Sequence, residues 1–291
     1  MKKGKFTCYD GMKLQSYTFD VENAKGVIQI SHGMQEYAKT YFKFAKFMQE
    51  KGYIVYIIDQ RAHGLSCAKE DLGKVDGDVF QQTVCDQLRV SRFLKETYNL
   101  PLYVLGHSYG SFIMQEYLKR NKFADKILLL GSGYMKNPVI WFGKIMASLT
   151  CAFKGKDAKA KLVEKAGLGA YANKFSDASW ITSDEEETKE FYADELNGQT
   201  SSAGFYKSMF ANQLKLYKDL KNVDKNLPIG IFSGSQDPVG LFSKGAIKLY
   251  NVYNKKGLNV SLKLYSKMRH NILQEQKKEY AFADILNFIE N

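Results

Sequence analysis

Gly106-His107-Ser108-Tyr109-Gly110 sets a serine with a glycine two positions to either side, directly after the apolar run Leu102 to Leu105 and ahead of a helix-compatible stretch, Ser111 to Arg120. That order of residue types predicts a sharp strand-to-helix turn. Small flanking residues let the two backbones cross closely, the hydroxyl is lifted above the sheet edge, and the amides opening the helix face any negative charge that develops there. A serine hydroxyl is a weak nucleophile at neutral pH and needs a base, and an acid to orient the base. The chain has 4 histidines: His32, His63, His107 and His270. His107 adjoins the serine, so the turn aims its ring elsewhere. His32 and His63 precede the serine, and the glycine after each reads as loop geometry. His270 follows the last strand-like run, Val260 to Tyr265, at the edge where Ser108 emerges, and is the expected base. Asp237, in Gly234-Ser235-Gln236-Asp237-Pro238 just after the apolar run Ile229 to Phe232, is the expected acid; Asp219 and Asp224 read as surface charges. Ser108, Asp237, His270 is the chain order of a nucleophile elbow in this kind of sheet. Two backbone amides should hold the oxyanion: that of Tyr109, next after the serine, and that of Met34, in the loop Ser31-His32-Gly33-Met34.

These residues must be positioned by a sheet, and the elements for one are legible. Short apolar runs at Gly26–Ile30, Tyr53–Ile58, Leu102–Leu105, Ile127–Leu130, Ile229–Phe232 and Val260–Tyr265 suit parallel strands covered on both faces. Helical spacing appears between and after them, over Thr40–Lys51, Phe80–Tyr98, Gly245–Tyr253 and Leu273–Ile289. Lys5–Tyr9 and Leu14–Phe19 flank Asp10-Gly11 and predict an antiparallel hairpin at the sheet edge. From Tyr134 to about Val223 no strand-like run occurs, and about ninety residues are too many for one crossover. The expected organisation is therefore an α/β core made of 1–133 and 224–291, with a helical cap inserted at 134–223.

Composition narrows the class. With 45% hydrophobic residues the chain has ample material for a core, which excludes intrinsic disorder. The net charge of +11 is spread along the whole length rather than gathered on a basic helix, so no nucleic-acid partner is expected. Cys8, Cys67, Cys85 and Cys151 have neither metal-site nor disulfide-scaffold spacing; together with the lack of an apolar run after Met1-Lys2-Lys3 this points to a cytoplasmic protein. No metal or cofactor is expected. The longest apolar stretch, Val139 to Phe153, is too short to cross a bilayer and carries Lys144. Followed by Lys154, Lys156, Lys159, Lys161 and Lys165, it would serve either for transient peripheral contact with an anionic membrane or, the preferred reading, as a packed cap helix with a solvated continuation. In the second case Trp141, Phe142 and Ile145 become candidate substrate contacts.

The same residues resemble a known family. His32-Gly33-Met34-Gln35-Glu36 with Tyr41, Asp59-Gln60-Arg61-Ala62-His63-Gly64-Leu65-Ser66, Gly106 to Gly110, Asp237-Pro238-Val239 and Arg269-His270-Asn271 are similar to the motifs of the α/β-hydrolases of the monoacylglycerol lipase and lysophospholipase group, often classed as serine aminopeptidase S33. In the inserted stretch Trp180-Ile181-Thr182-Ser183-Asp184, with Tyr192 and Asp194, matches as well. Tyr37, Thr40, Ala62 and Asn271 depart from the family pattern, leave the three candidate catalytic residues in place, and bear on substrate preference. The resemblance implies an α/β-hydrolase fold and a serine esterase that acts on a monoacyl lipid. An amidase or aminopeptidase on the same scaffold, and a non-catalytic binding protein, stand as alternatives; oligomeric state is left open.

Overall fold

The computed structural model describes residues 1–177 and 179–291. Its centre is an 8-stranded sheet in the order β1-β2-β4-β3-β5-β6-β7-β8. The strands are β1 (Lys2–Thr7), β2 (Lys13–Phe19), β3 (Gly26–Ser31), β4 (Tyr53–Ile58), β5 (Leu102–His107), β6 (Lys126–Leu130), β7 (Ile229–Gly234) and β8 (Val260–Tyr265). β1 and β2 form the antiparallel edge hairpin, β2 also pairs antiparallel with β4, and the remaining pairs are parallel.

Successive residues of a strand point to opposite faces, and both faces here are covered. Leu102, Val104, Ile127 and Leu129 pack on one face with Val84 and Val90 of α2 (Val79–Tyr98), Ile113 and Tyr117 of α3 (Tyr109–Tyr117), and Leu249 of a later helix. Leu105, Leu128, Leu130, Ile28 and Ile30 pack on the other, against Phe44 and Met48 of α1 (Phe42–Glu50) and against Phe282 and Ile285 near the C-terminus. Fully burying one such side chain contributes about 1.5–3 kcal/mol, which is why the runs are apolar throughout rather than alternating. β8 differs. It is the far edge of the sheet, and its side chains alternate between part-buried and exposed up to buried Tyr265.

Between β6 and β7 lies a helical segment: α4 (Pro138–Lys154), α5 (Lys161–Glu164), a π-helical turn at Lys165–Gly169, α6 (Ala170–Ala172), α7 (Glu185–Ala193) and α8 (Ala203–Gln213). Its β pairing, among the described residues, is a single bridge between Lys159 and Ser202. Asn137 caps α4 through Ile140 N at 3.1 Å, with Pro138 at the first turn, and Asp184 caps α7. The segment is fastened to the sheet side by polar contacts. Asp78, at the start of α2, accepts from Ser208 Oγ (2.6 Å) and Asn212 Nδ2 (2.9 Å) of α8, while buried Glu187 of α7 accepts from Lys43 (2.9 Å) and Lys278 (2.6 Å). The chain closes with α9 (Lys244–Lys255) and α10 (Lys278–Glu290). α10 starts later than helical spacing predicts, because Asn271 turns the chain first: its carbonyl accepts from Gln274 N and its side chain from Leu273 N.

Register aligns the carboxyl ends of the parallel strands. Ser31 pairs with Gly106, His107 with Leu130 and Gly234 with Tyr265. These strand ends, with the loops and the helix start that follow them, carry every residue singled out for chemistry except those on α4.

Candidate active site

Ser108 is the N-cap of α3 and adopts φ 51° and ψ −118°, a conformation a non-glycine residue holds only where its surroundings enforce it. The flanking glycines are what permit it. A Cβ on Gly110 would lie 2.0 Å from the carbonyl oxygen of Ser31, and one on Gly106 would lie 2.4 Å from that of Gly110, so strand and helix cross at backbone contact. Ser108 N donates to Leu130 O at 3.0 Å, which ties the turn to β6.

Asp237 and His270 meet beneath the same cavity. His270 Nδ1 lies 2.9 Å from Asp237 Oδ1; both are buried, and Asp237 Oδ1 also accepts from Val239 N at 2.8 Å. A carboxylate accepts, so the ring proton sits on Nδ1 and Nε2 is left with a lone pair. Nε2 has no hydrogen-bond partner among the described residues, and Ser108 and His270 line one cavity of about 490 Å³. That volume is in the range of small-ligand sites. Its wall is mainly apolar and includes Phe112, Met135, Ile140, Leu168, Met209 and Phe210, with Trp180 tilted against His270 at 5.1 Å between ring centroids.

The loop after β3 lies against the serine: a Cβ on Gly33 would come 3.2 Å from Ser108 Cβ. Neither Met34 N nor Tyr109 N donates to a protein group among the described residues, so both N–H groups are available at this end of the cavity. Glu36 shapes the loop. Its buried carboxylate accepts from Gly33 N at 2.6 Å, from Tyr41 Oη and from His107 Nδ1 (3.2 Å). Burial alone would raise its pKa; the His107 contact and the Tyr41 hydroxyl outweigh that and hold it below the ordinary carboxylate range.

The other histidines have structural partners. His107 Nδ1 also meets Tyr41 Oη at 2.7 Å. His32 is fully buried, accepts from Gln60 N at Nε2 (2.8 Å) and donates from Nδ1 to Gly33 O (2.7 Å); burial pushes its pKa down to about 3. His63 Nδ1 donates to Arg61 O at 2.8 Å, and burial again lowers the pKa. Asp219 and Asp224 are exposed.

The expectation for α4 needs correction. Trp141 and Phe142 are 58% and 57% exposed, and neither they nor Ile145 line the cavity. α4 turns Ile140 inward instead, on the stripe that continues through Ala147 and Cys151 to the core. A helix advances 100° per residue, so neighbours of Ile140 in sequence are carried to the solvent side. Composition does not single out this stripe, because the helix is apolar almost all round. Trp180, Glu36 and Gln35 also line the cavity; in the sequence they are legible only as members of motifs. Among the described residues no group of three or more His, Cys, Asp or Glu side chains converges to hold a metal ion.

The model of the family described as serine aminopeptidase, S33, matches residues 22–277. The monoglyceride lipase of Saccharomyces cerevisiae is 27% identical over 284 residues, covering 91% of this chain and 84% of that protein. Among solved structures, a thermostable carboxyl esterase from Bacillus coagulans in complex with glycerol superposes with a TM-score of 0.87 at 21% identity, covering 99% of this chain and 97% of the esterase. A soluble variant of the Saccharomyces cerevisiae monoglyceride lipase in complex with a substrate analog superposes with a TM-score of 0.77 at 22% identity, covering 99% and 94%. The fold is that of the α/β-hydrolases.

Proposed function

The chain belongs to the serine aminopeptidase S33 family of α/β-hydrolases, and from that premise we propose that it hydrolyses carboxylic esters of monoacyl lipids, of the monoacylglycerol or lysophospholipid type. The observation that carries this is the Asp237–His270 pair at 2.9 Å, whose free Nε2 opens into the apolar cavity that Ser108 also lines. His270 Nε2 takes the Ser108 hydroxyl proton as Oγ attacks the ester carbonyl, and Asp237 holds the ring with the charge it gains. The tetrahedral oxygen receives hydrogen bonds from Met34 N–H and Tyr109 N–H. Collapse expels the alcohol, which leaves with the proton from His270. Water, deprotonated by the same nitrogen, then releases the fatty acid and frees Ser108.

In this proposal residues 134–223 form a cap over the cavity, and Ile140, Met209 and Phe210 take up the acyl chain. The outer side of α4 exposes Val139, Trp141, Phe142 and Phe153, with Leu162 beyond it, beside exposed Lys136, Lys154 and Lys161. An apolar, basic surface of this kind suits peripheral contact with an anionic membrane, from which a monoacyl lipid would enter. No helix among the described residues is long and apolar enough to cross a bilayer. The four free thiols suit the cytosol.

The test is turnover of matched substrates by the purified chain: monoacylglycerols of increasing acyl length, a lysophospholipid, and amides of the same acyl groups. Ester cleavage that rises with acyl length to an optimum, and exceeds amide cleavage by orders of magnitude, is the expected result. Preferential amide cleavage would assign the site to an amidase or aminopeptidase instead.

A further inference from the structure

The loop that offers Met34 N–H is held from two sides, and one of these is the inserted segment. On the sheet side Glu36 grips Gly33 N at 2.6 Å. On the other side the holding residue is Gln35. It sits at φ +62°, a left-handed conformation that a long side chain keeps only when its surroundings impose it. The imposing contacts come from the segment between β6 and β7. Gly198 N donates to Gln35 O at 2.8 Å, and Gln35 Nε2 donates to Glu164 Oε1. Glu164 is itself fixed, since the same oxygen accepts from Ser201 N at 2.9 Å and from Tyr206 Oη at 3.0 Å. Tyr37 Oη on Asp194 at 2.8 Å adds a third tie of the loop to this segment.

Resting on the assignment of Met34 N–H to the oxyanion, we propose that Gln35 is a positioning residue through which the seating of the cap, by way of Glu164, sets the oxyanion hole. Gln35 is bonded directly to Met34, so a change in its backbone angles swings the peptide groups beside the donor. A misplacement of an ångström at a reacting centre costs about 100-fold in rate. The cap therefore contributes to the chemical step even for substrates too short to touch its apolar wall.

The experiment compares Gln35→Ala, Glu164→Ala and the double variant on p-nitrophenyl acetate, whose acyl group does not reach Ile140 or Phe210. Each single variant should lose on the order of 10- to 100-fold in kcat with little change in KM, less than the 10² to 10³ for outright removal of a donor. The double variant should be no worse than the worse single one, because both changes break one link. Affinity for a trifluoromethyl ketone, whose hemiketal oxygen occupies the hole, should fall in parallel. Exchanging the pair, Gln35→Glu with Glu164→Gln, re-forms the amide–carboxylate contact and should recover part of the lost kcat. Full acetate turnover in both single variants, strictly additive losses, or losses confined to KM for long esters would each overturn the proposal. Thermal melts accompany the kinetics; if Gln35→Ala does not fold, Glu164→Ala and the exchanged pair decide. Ser108→Ala separates the two levels. Retained activity there rejects the site itself, whereas a dead Ser108→Ala beside unimpaired Gln35 and Glu164 variants rejects only the coupling.

Discussion

Asp237 and His270, 33 positions apart in the chain, lie 2.9 Å apart between Oδ1 and Nδ1, with Asp237 wholly buried. Adjacency of β7 and β8 brings them together, since Gly234 and Tyr265 are register partners and each residue follows its strand by a short turn. The ring is thus fixed in one tautomer, with Nε2 left unpartnered beside the cavity that Ser108 also lines.

The three side chains should behave as one unit. Ser108→Ala should abolish labelling by a fluorophosphonate probe, and His270→Ala should lower kcat by roughly 10⁴- to 10⁶-fold. Asp237→Asn keeps the shape but reverses the preferred tautomer and should cost about 10⁴. Persistent labelling of Ser108→Ala would move the nucleophile elsewhere.

The oxyanion donors proposed above are backbone groups, so truncating a side chain should matter little. Met34→Ala should keep most activity on a small ester. Met34→Pro removes the N–H and should cost roughly 3 kcal/mol of transition-state stabilisation. Normal turnover by a folded Met34→Pro chain would remove that amide from the mechanism.

The elbow should tolerate no side chain at Gly110. Its Cβ would sit 2.0 Å from a backbone oxygen that cannot step aside, so Gly110→Ala should lose at least about 3 kcal/mol in urea unfolding. Gly167 is the control: it has an ordinary φ and open space around it, and alanine there should change stability by less than about 1 kcal/mol. Equal losses at both positions would mean that the crossing is looser than the geometry requires.

The two sides of α4 should separate in function. Ile140→Asp places a charge in the cavity and should raise KM for a long-chain monoacylglycerol far more than for an acetyl ester. Phe142→Asp, on the outer side, should leave soluble-ester kinetics alone yet reduce sedimentation with anionic vesicles roughly tenfold or more, from about 1.5–3 kcal/mol of lost apolar burial. Unchanged vesicle binding would argue against this face as the lipid contact.

Acid should weaken the fold through His32. Its folded pKa of about 3 lies below the ordinary value of 6.5, so the unfolded chain binds a proton first as pH falls. The stability it contributes is complete above about pH 6.5 and is lost toward pH 3, at up to about 1.4 kcal/mol per pH unit. Buried Asp59 acts in the opposite sense: burial raises its pKa to about 6, so stability falls as pH rises from about 4 to 6. The difference in unfolding free energy between the unaltered chain and His32→Asn removes the Asp59 contribution and should shrink as pH falls from 7.5 to 5. A pH-independent difference would show that His32 is not the titrating group.

Sequence by itself determines what is local or periodic. The parallel strands, the edge hairpin, the elbow around Ser108 and the chain order of Ser108, Asp237 and His270 are all legible, because a strand buried on both faces must be apolar throughout and a tight turn must place small residues at set offsets. What depends on orientation between distant elements is not legible. Which stripe of α4 faces the cavity is decided by α8 and the core beneath it, since a helix apolar all round offers several equivalent stripes. The roles of Glu36 and Gln35 are decided in the same way. Glu36 takes its meaning from Tyr41 and from His107, which the pairing of β3 with β5 brings to it, and Gln35 from Glu164, 129 positions away, which only the packing of the inserted segment brings within hydrogen-bond reach.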